Sequence, residues 1–467
     1  MDMQSYDVVI IGAGPGGYVC AIRAAQLGLK VAIVDKQWLG GVCLNIGCIP
    51  SKSLLKNAEL AHTLRVRSKE FGISFDNLKL DYSVAVKRSR QVSDRLTKGV
   101  AFLMKKNNIS VLMGNARLTA RDRVLVISAE GNQVELSAKN IVIATGAHTT
   151  MIPGIKIDGE HVLDYQHAIL QEKYPESAVI IGAGAIGVEF ATIWNSYGAK
   201  VTLVEMLPRI LPLEDEEIST ELARSFTRRG IEIMTGTRVI SIQPENSCVK
   251  VNVSGNDGEK TLDAEQALLA VGFNPNTKDI GLETVGVNLN ERGFIQIDNR
   301  MATNVPGIWA VGDVTGQLLL AHVASAQGIV CADSMGGMET AVLDYRMMPR
   351  ATYCHPQVAS FGLTELQAKE QGYQTKVGRF NFLANGKALG LGEGNGFVKI
   401  ISDARYGELL GAHMIGPEVS ELLPELTLAH HMELTASEIA HNVHTHPTLS
   451  EALMEAAEAV DGHAIHL

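Results

Sequence analysis

Tyr6-Asp-Val-Val-Ile-Ile-Gly-Ala-Gly-Pro-Gly-Gly17 is the stretch whose spacing decides the fold. A short apolar run ends at Gly12, Gly14 and Gly17 follow, and a helical pattern occupies residues 18–27. Gly28 closes that helix, residues 31–34 read as a second strand, and Asp35 stands at its end. Each glycine has a physical task. Gly12 permits a tight turn, Gly14 lets backbone N–H groups approach a pyrophosphate, and Gly17 lets the helix pack on the strand. The helix N-terminus then faces phosphate charge, and Asp35 can accept from a ribose hydroxyl. A bare glycine pattern would fit any Gly-rich strand-to-helix turn. Strand, helix and acid together predict a dinucleotide-binding unit.

The unit recurs. Val179-Ile-Ile-Gly-Ala-Gly-Ala-Ile-Gly187 supplies Gly182, Gly184 and Gly187, then a helix to Tyr197, Gly198, a strand over 201–204, and Glu205. In both copies the acid stands 23 residues after the first glycine, from 12 to 35 and from 182 to 205. Two matched units in one chain predict two dinucleotide sites. Glu205 would repel a 2′-phosphate, and the nearest cation, Arg209, lies beyond Pro208. The second site is therefore expected to take NAD rather than NADP.

Working outward, 467 residues predict about three domains with a large core. A net charge of −10 argues against a nucleic-acid partner, and the basic pairs Lys105-Lys106 and Arg228-Arg229 are isolated. The opening residues 1–6 carry no basic region, and the apolar run at 8–11 is too short for a signal segment or membrane span. A soluble chain with no membrane partner is expected, staying in the cytoplasm where it is made.

Six cysteines in this length do not form a secreted scaffold. Cys20, Cys248, Cys331 and Cys354 read as small buried apolar residues. Cys43 and Cys48 differ, because they sit in Gly40-Gly-Val-Cys-Leu-Asn-Ile-Gly-Cys-Ile-Pro-Ser-Lys52, beside the first dinucleotide unit. The spacing is not CxxC, and no second pair completes a zinc site. In a regular helix, positions five apart place their Cα atoms ~8.6 Å apart, beyond the ~7 Å reach of a disulfide. If the two bridge, the stretch is an irregular first turn, with the regular helix starting near Ser51 after Gly47 and Pro50. A cysteine at a helix start is also expected to have a lowered pKa.

The last constellation is His446, Pro447 and Glu451. Pro447 keeps His446 out of the following helix. Thr448-Leu-Ser-Glu451 reads as a capping box, with Glu451 reaching back to the Thr448 N–H. Glu451 could instead hydrogen-bond His446 and raise its basicity. The two roles compete for one carboxylate. His441, His444 and His446 lack zinc spacing and a nearby cysteine, so no metal is expected.

Taken together, these segments resemble the pyridine nucleotide–disulfide oxidoreductases, and within them the dihydrolipoamide dehydrogenase branch. The resemblance runs over essentially the whole chain: GAGPGGY at 12–18, GGVCLNIGCIPSK at 40–52, ATGA at 144–147, GAGAIGVEF at 182–190, AVGFNPNT at 270–277, WAVGDV at 309–314, LAHVASAQG at 320–328 and HTHPTLSE at 444–451. The cysteine and HPTLSE segments are the most specific. The resemblance implies an α/β chain with two Rossmann-like domains and a C-terminal α+β dimerisation domain. The parts would be an FAD-binding domain at 1–150, an NAD-binding domain at 151–275, a central segment at 276–345 completing the FAD site, and an interface domain at 346–467. Short strands at 397–402 and 409–415, with helices from about 417 and 449, agree with that last part.

The resemblance also implies roles. Cys43 and Cys48 form a redox disulfide, with His446 and Glu451 as the base pair. Lys52 and Glu189 pair beside the flavin. FAD is held by Gly12, Gly14, Gly17, Asp35, Lys52, Gly114, Ala116, Thr145, Gly146, Gly312, Asp313, Ala321 and His322. NAD is held by Gly182, Gly184, Gly187, Glu189, Glu205 and Gly272. The expected activity is oxidation of protein-bound dihydrolipoamide with reduction of NAD. Expected partners are a second copy and the lipoyl domain and acyltransferase core of 2-oxo-acid dehydrogenase complexes, or the glycine-cleavage H protein.

Relatives with other chemistry fit less well. Mercuric reductases carry a C-terminal cysteine pair, but the last cysteine here is Cys354. Glutathione reductases prefer NADPH, against Glu205. A flavin transhydrogenase would lack the cysteine pair. A non-catalytic NAD-sensing subunit would need neither the cysteines nor His446.

Overall fold

The computed structural model describes residues 4–256 and 258–467, so the first three residues of the N-terminal stretch read above lie outside the described part. The chain forms two compact units, each gathered from three separate segments. One takes the chain up to Ser53, Ser83–Met151 and Gly272–Tyr345; the other takes Leu54–Tyr82, Ile152–Val271 and Arg346–Leu467.

The first unit is built on a seven-stranded sheet. Strands Ser110–Met113, Val31–Asp35, Gln4–Ile11 and Gln133–Ile143 run parallel in that spatial order. The long strand Gln133–Ile143 is shared. Its first half pairs antiparallel with Arg123–Ile127, and its last three residues pair in parallel with Ile308–Ala310. Why the apolar run at 8–11 shows no polar alternation is then clear. Val9 and Ile11 enter one core with Leu118, Val126 and Ile141, while Val8 and Ile10 enter another with Cys20, Ala24 and Val142. Both faces of the strand are buried, as parallel sheets require. Each such side chain contributes about 1.5–3 kcal/mol of transfer free energy.

On one face lie the helices Pro15–Gln26 and Ala321–Met335. They touch backbone to backbone: a Cβ on Gly328 would stand 2.6 Å from the Gly16 carbonyl oxygen.

In the second unit, a parallel sheet orders Glu232–Met234, Lys200–Val204, Ser177–Ile181, Gln266–Leu269 and Val162–Leu163. A second, antiparallel sheet orders Arg350–Thr352, Gln357–Gly362, Leu409–Gly416, Phe397–Asp403 and Thr375–Asn381. Its two middle strands are buried along their whole length, under helices Val419–His431 and Glu451–Val460. Those helices begin two residues later than the sequence pattern indicates, because Glu418 adopts a left-handed turn and Ser450 is the residue before the last helix. Cys20, Cys331 and Cys354 are buried as read, but Cys248 is only half-buried at the start of a meander strand. No described helix is long and apolar enough to cross a membrane.

The architecture is α/β: two Rossmann-like dinucleotide-binding parts and a C-terminal α+β part.

Candidate active site

The two glycine loops have the same internal logic. Gly12 has φ +106°, and a Cβ there would lie 2.2 Å from the Ala144 carbonyl oxygen. A Cβ on Gly17 would lie 1.9 Å from the Gly12 oxygen. At Gly14 nothing stands within 4 Å, so that position opens outward at the N-cap of helix Pro15–Gln26. The second loop repeats this: Gly182 (φ +98°) would meet Ala270 oxygen at 2.4 Å, Gly187 would meet Gly182 oxygen at 1.9 Å, and Gly184 is open. First and third glycines serve packing; the middle one leaves room for a ligand's phosphates.

The acids do more than the sequence indicated. Asp35 accepts from the Ala13 N–H at 2.7 Å through Oδ2, and from Gln37 and Trp38 N–H through Oδ1 at 2.8 and 3.0 Å. Glu205 accepts from Ala183 N–H at 2.8 Å through Oε2 and from Leu207 N–H at 2.9 Å through Oε1. Each acid fastens its own glycine loop and keeps acceptor capacity for a ribose, on Oδ2 of Asp35 and on both oxygens of Glu205.

The remaining first-unit positions surround this loop's strand ends. Gly114 donates to the Asp35 carbonyl at 2.9 Å, and Ala116 pairs with Val126. Thr145 and Gly146 are tied to Asn276: Thr145 Oγ1 donates to its carbonyl at 2.7 Å, and its side chain donates back to Thr145 O at 2.8 Å. Gly272 (φ +104°) accepts from Thr150 N–H at 2.9 Å. Gly312 (φ +78°) donates to the buried Gln327 Oε1 at 2.6 Å. Ala321 and His322 open the helix Ala321–Met335.

Asp313 starts the turn Asp313–Thr315, and its carboxyl accepts no hydrogen bond from the described residues. Burial raises its pKa to about 6. An acid whose carboxyl takes no hydrogen bond from the described residues is an acceptor that a flavin nucleotide's hydroxyls would satisfy, so the residues fit FAD.

The cysteine segment departs from the expected turn. Cys43 lies in a short helix, Gly41–Ile46, and Cys48 is the first residue of the next, Cys48–His62. Gly47, at φ −128° and ψ −114°, separates them. The regular helix thus starts three residues before Ser51. Pro50 is tolerated because the first turn's N–H groups have no intrahelical acceptor, and the first such bond runs from Ser51 N–H to Gly47 O at 3.1 Å. Both cysteines are half-buried thiols, and their side chains hydrogen-bond each other. That bond to Cys48, then burial, pushes the Cys43 thiol far up, against the expected lowering.

Two residues escaped the sequence reading. Asn45 is buried and braces the segment, its Nδ2 donating to Leu39 O and Gly41 O at 2.9 Å each while Arg90 donates to its carbonyl. Tyr18, whose hydroxyl is pushed up by burial and by the charges of Cys43 and Cys48, stands beside the pair. Its place directly after Gly17 was the available signal. Lys52 follows Cys48 by one helical turn. Glu189 is buried in helix Ala185–Tyr197 of the second unit and accepts from Tyr353 N–H at 3.0 Å.

His446 stands in the loop between helices Ala436–His441 and Glu451–Val460, joined to Pro447 by a cis bond. Its side chain is 77% exposed, and Nδ1 lies 2.9 Å from Glu451 Oε1. Glu451 Oε2 accepts from Thr448 N–H at 2.7 Å. The expected competition is absent, because each role uses a different oxygen. The capping box is only half formed: Thr448 Oγ1 donates to Thr445 O at 2.7 Å. Burial works to raise the Glu451 carboxyl, but the Thr448 N–H, His446 and a nearby His444 outweigh it and hold the pKa low.

Residues 6–328 match the pyridine nucleotide-disulphide oxidoreductase family, and residues 348–457 match that family's dimerisation domain. The chain belongs to this family, and is an FAD- and NAD-dependent oxidoreductase. It is 53% identical to the dihydrolipoyl dehydrogenase of Mycobacterium leprae, over 99% of this chain and 100% of that one. It is 48% identical to that of Corynebacterium glutamicum over 99% of both. Among solved structures it is similar to LpdA from Mycobacterium tuberculosis, with a TM-score of 0.91, 26% identity, and coverage of 98% of this chain and 99% of that one. It is also similar to the HOCl-induced flavoprotein disulfide reductase RclA from Escherichia coli, with a TM-score of 0.85, 28% identity, and coverage of 96% and 98%.

Proposed function

We propose that this chain oxidises dihydrolipoamide to lipoamide and reduces NAD to NADH, as a dihydrolipoyl dehydrogenase. The observation that carries the reading is a hydrogen-bonded Cys43–Cys48 pair at a helix start next to the first glycine loop, in a chain that also holds a His446–Glu451 base pair.

The residues divide the work as follows. Glu451 keeps the proton of His446 on Nδ1, so Nε2 is free to take a proton from a substrate thiol. The thiolate attacks the Cys43 sulfur of the oxidised pair, and Cys48 leaves as thiolate. Once His446 has passed its first proton to solvent, it takes the proton of the second substrate thiol, which attacks the sulfur bound to Cys43, and Cys43 leaves as thiolate. This closes the lipoamide ring and leaves both cysteines reduced. FAD, when bound, supplies the two-electron centre between this dithiol and NAD. Gly12, Gly14, Gly17, Asp35, Gly114, Ala116, Thr145, Gly146, Gly312, Asp313, Ala321 and His322 hold it. Lys52 and Glu189 serve its ring, and Gly182, Gly184, Gly187, Glu205 and Gly272 hold NAD.

In this reading the active form is a homodimer, with dimerisation through the part after 345 and His446 acting on the partner subunit's cysteines. The lipoyl arm comes from a 2-oxo-acid dehydrogenase complex or a glycine-cleavage H protein in the cytoplasm. The parts are those drawn above, at 1–150, 151–275, 276–345 and 346–467.

Anaerobic titration of the yellow protein with dihydrolipoamide, followed by visible spectra, tests the reading. Wild type should develop a long-wavelength thiolate–flavin band and then reduce NAD; oxidised Cys43→Ser should pass no substrate electrons to the flavin. A wild-type flavin that NADH reduces but dihydrolipoamide does not would overturn the substrate assignment.

A further inference from the structure

We propose that a second histidine–carboxylate pair, His444 with Glu425, positions the base: it sets the loop carrying His446 and holds a positive charge beside Glu451. This rests on the function just proposed. The two histidines are two residues apart and differ in exposure and in how many ring nitrogens are bonded. His446 has its side chain 77% exposed, whereas that of His444 is 3% exposed. His446 uses one ring nitrogen, and no described hydrogen bond ends on the other. His444 uses both: Nδ1 lies 2.7 Å from the Asn442 carbonyl oxygen, and Nε2 lies 2.9 Å from Glu425 Oε1.

Those two contacts constrain the ring. A backbone carbonyl only accepts, so Nδ1 must donate. Glu425 Oε1 also takes the Asn442 Nδ2 at 3.3 Å, so that oxygen is acting as an acceptor and Nε2 must donate too. A neutral imidazole has a single N–H and would turn a lone pair toward one of these oxygens. Both contacts are met together only by the imidazolium, with the Glu425 carboxylate as its counter-ion.

The consequence reaches the base through Glu451. Glu425 lies on helix Val419–His431 and Glu451 opens the last helix, so the ring is held from one helix while its charge acts on the other. The groups facing this arrangement are Glu425, the Asn442 carbonyl and amide, Glu451 and His446. His444 is among the charges that keep Glu451 ionised. An ionised Glu451 fixes the His446 Nδ1 proton and leaves Nε2 as the acceptor.

The test uses the dimeric holoenzyme, wild type, His444→Gln and Glu425→Gln, with selective nitrogen-15 labelling of histidine. At pH 7, wild type should show a histidine with both nitrogens in the protonated range, absent in His444→Gln and lost or altered in Glu425→Gln. His444→Gln should lower kcat/KM for dihydrolipoamide about tenfold, a fraction of what general-base catalysis supplies. The acid limb of its pH profile should move to higher pH, with flavin reduction by NADH unchanged. A uniform loss at every pH, with the limb in place, would mean a merely structural role and overturn the proposal. So would the absence of a doubly protonated His444. A wild type inert to dihydrolipoamide would instead sink the functional reading, and the positioning role with it.

Discussion

Glu451 gives one carboxylate oxygen to each of two neighbours, Oε1 to His446 Nδ1 at 2.9 Å and Oε2 to the Thr448 N–H at 2.7 Å. The backbone contact stops the carboxylate rotating, so the imidazole is oriented by a fixed partner.

Glu451→Gln separates charge from shape. The amide oxygen can still accept one hydrogen bond, but the anion is gone. We expect kcat/KM for dihydrolipoamide to fall by about 10²-fold, with a small change in the urea midpoint. Glu451→Ala should in addition cost about 1 kcal/mol through the lost helix-start contact. The wild-type carboxyl is held below its ordinary pKa. Its stabilising contribution is therefore complete above the ordinary carboxylate value and is lost as pH falls through the lowered one. Urea titrations of wild type and Glu451→Ala between pH 3 and 7 should converge at the acid end.

The glycines should sort by what a Cβ would meet. Gly17→Ala, forced to within 1.9 Å of a backbone oxygen, should destabilise the fold or abolish soluble expression. Gly14→Ala, with open space, should leave the apoprotein's Tm unchanged and lower its flavin content. Gly184→Ala should keep its flavin and raise KM for NAD alone. Equal loss of stability in all three would contradict this division.

Asp313→Asn should move stability and cofactor binding in opposite directions. Burial raises this acid to about 6, so the folded apoprotein binds its proton more tightly than the unfolded chain does. Stability from that group is present at low pH and falls as pH rises toward about 6. At pH 8 the apo variant should therefore withstand more urea than apo wild type. The same variant should release FAD more readily, measured as flavin fluorescence freed by dilution.

Lys399 predicts a purely structural cost. Its side chain is 2% exposed and lies 2.7–3.2 Å from Glu217, Glu365 and Asp215. Lys399→Ala leaves the buried Asp215 unpaired and should cost about 3 kcal/mol in urea unfolding. Burial works to lower this lysine, but the three carboxylates raise it overall. The difference from wild type should hold through neutral pH and shrink where the raised amine deprotonates and, at the acid end, where the lowered Glu365 carboxyl protonates.

The elements built on local rules were legible in the sequence. Both glycine loops, the helices they open and the strands over residues 31–34 and 201–204 carry their signal in their own residues, and the structure adds at most one residue to either end of those strands. The helix break at Gly47 was misplaced, because Pro50 looked like a helix start and is instead a tolerated first-turn residue. Contacts between distant segments left no local mark. Asn385 donates to Thr448 O at 3.0 Å across 63 residues, and Tyr353 N–H meets Glu189 across 164. The two oxygens of Glu451 could not be assigned from the sequence, since spacings of three to Thr448 and five to His446 both point at one carboxylate without saying which oxygen each takes.

The interrupted make-up of each unit also bears on how the chain is born. Ile308–Ala310 completes the sheet of the first unit beside a strand that ends at Ile143, and the second unit needs segments from Leu54 through the last helix. At roughly 5–20 residues per second, a ribosome emits the early strands many seconds before their last neighbours exist. Nascent chains stopped before residue 308 would therefore carry an unsealed sheet margin, a natural target for chaperones during translation.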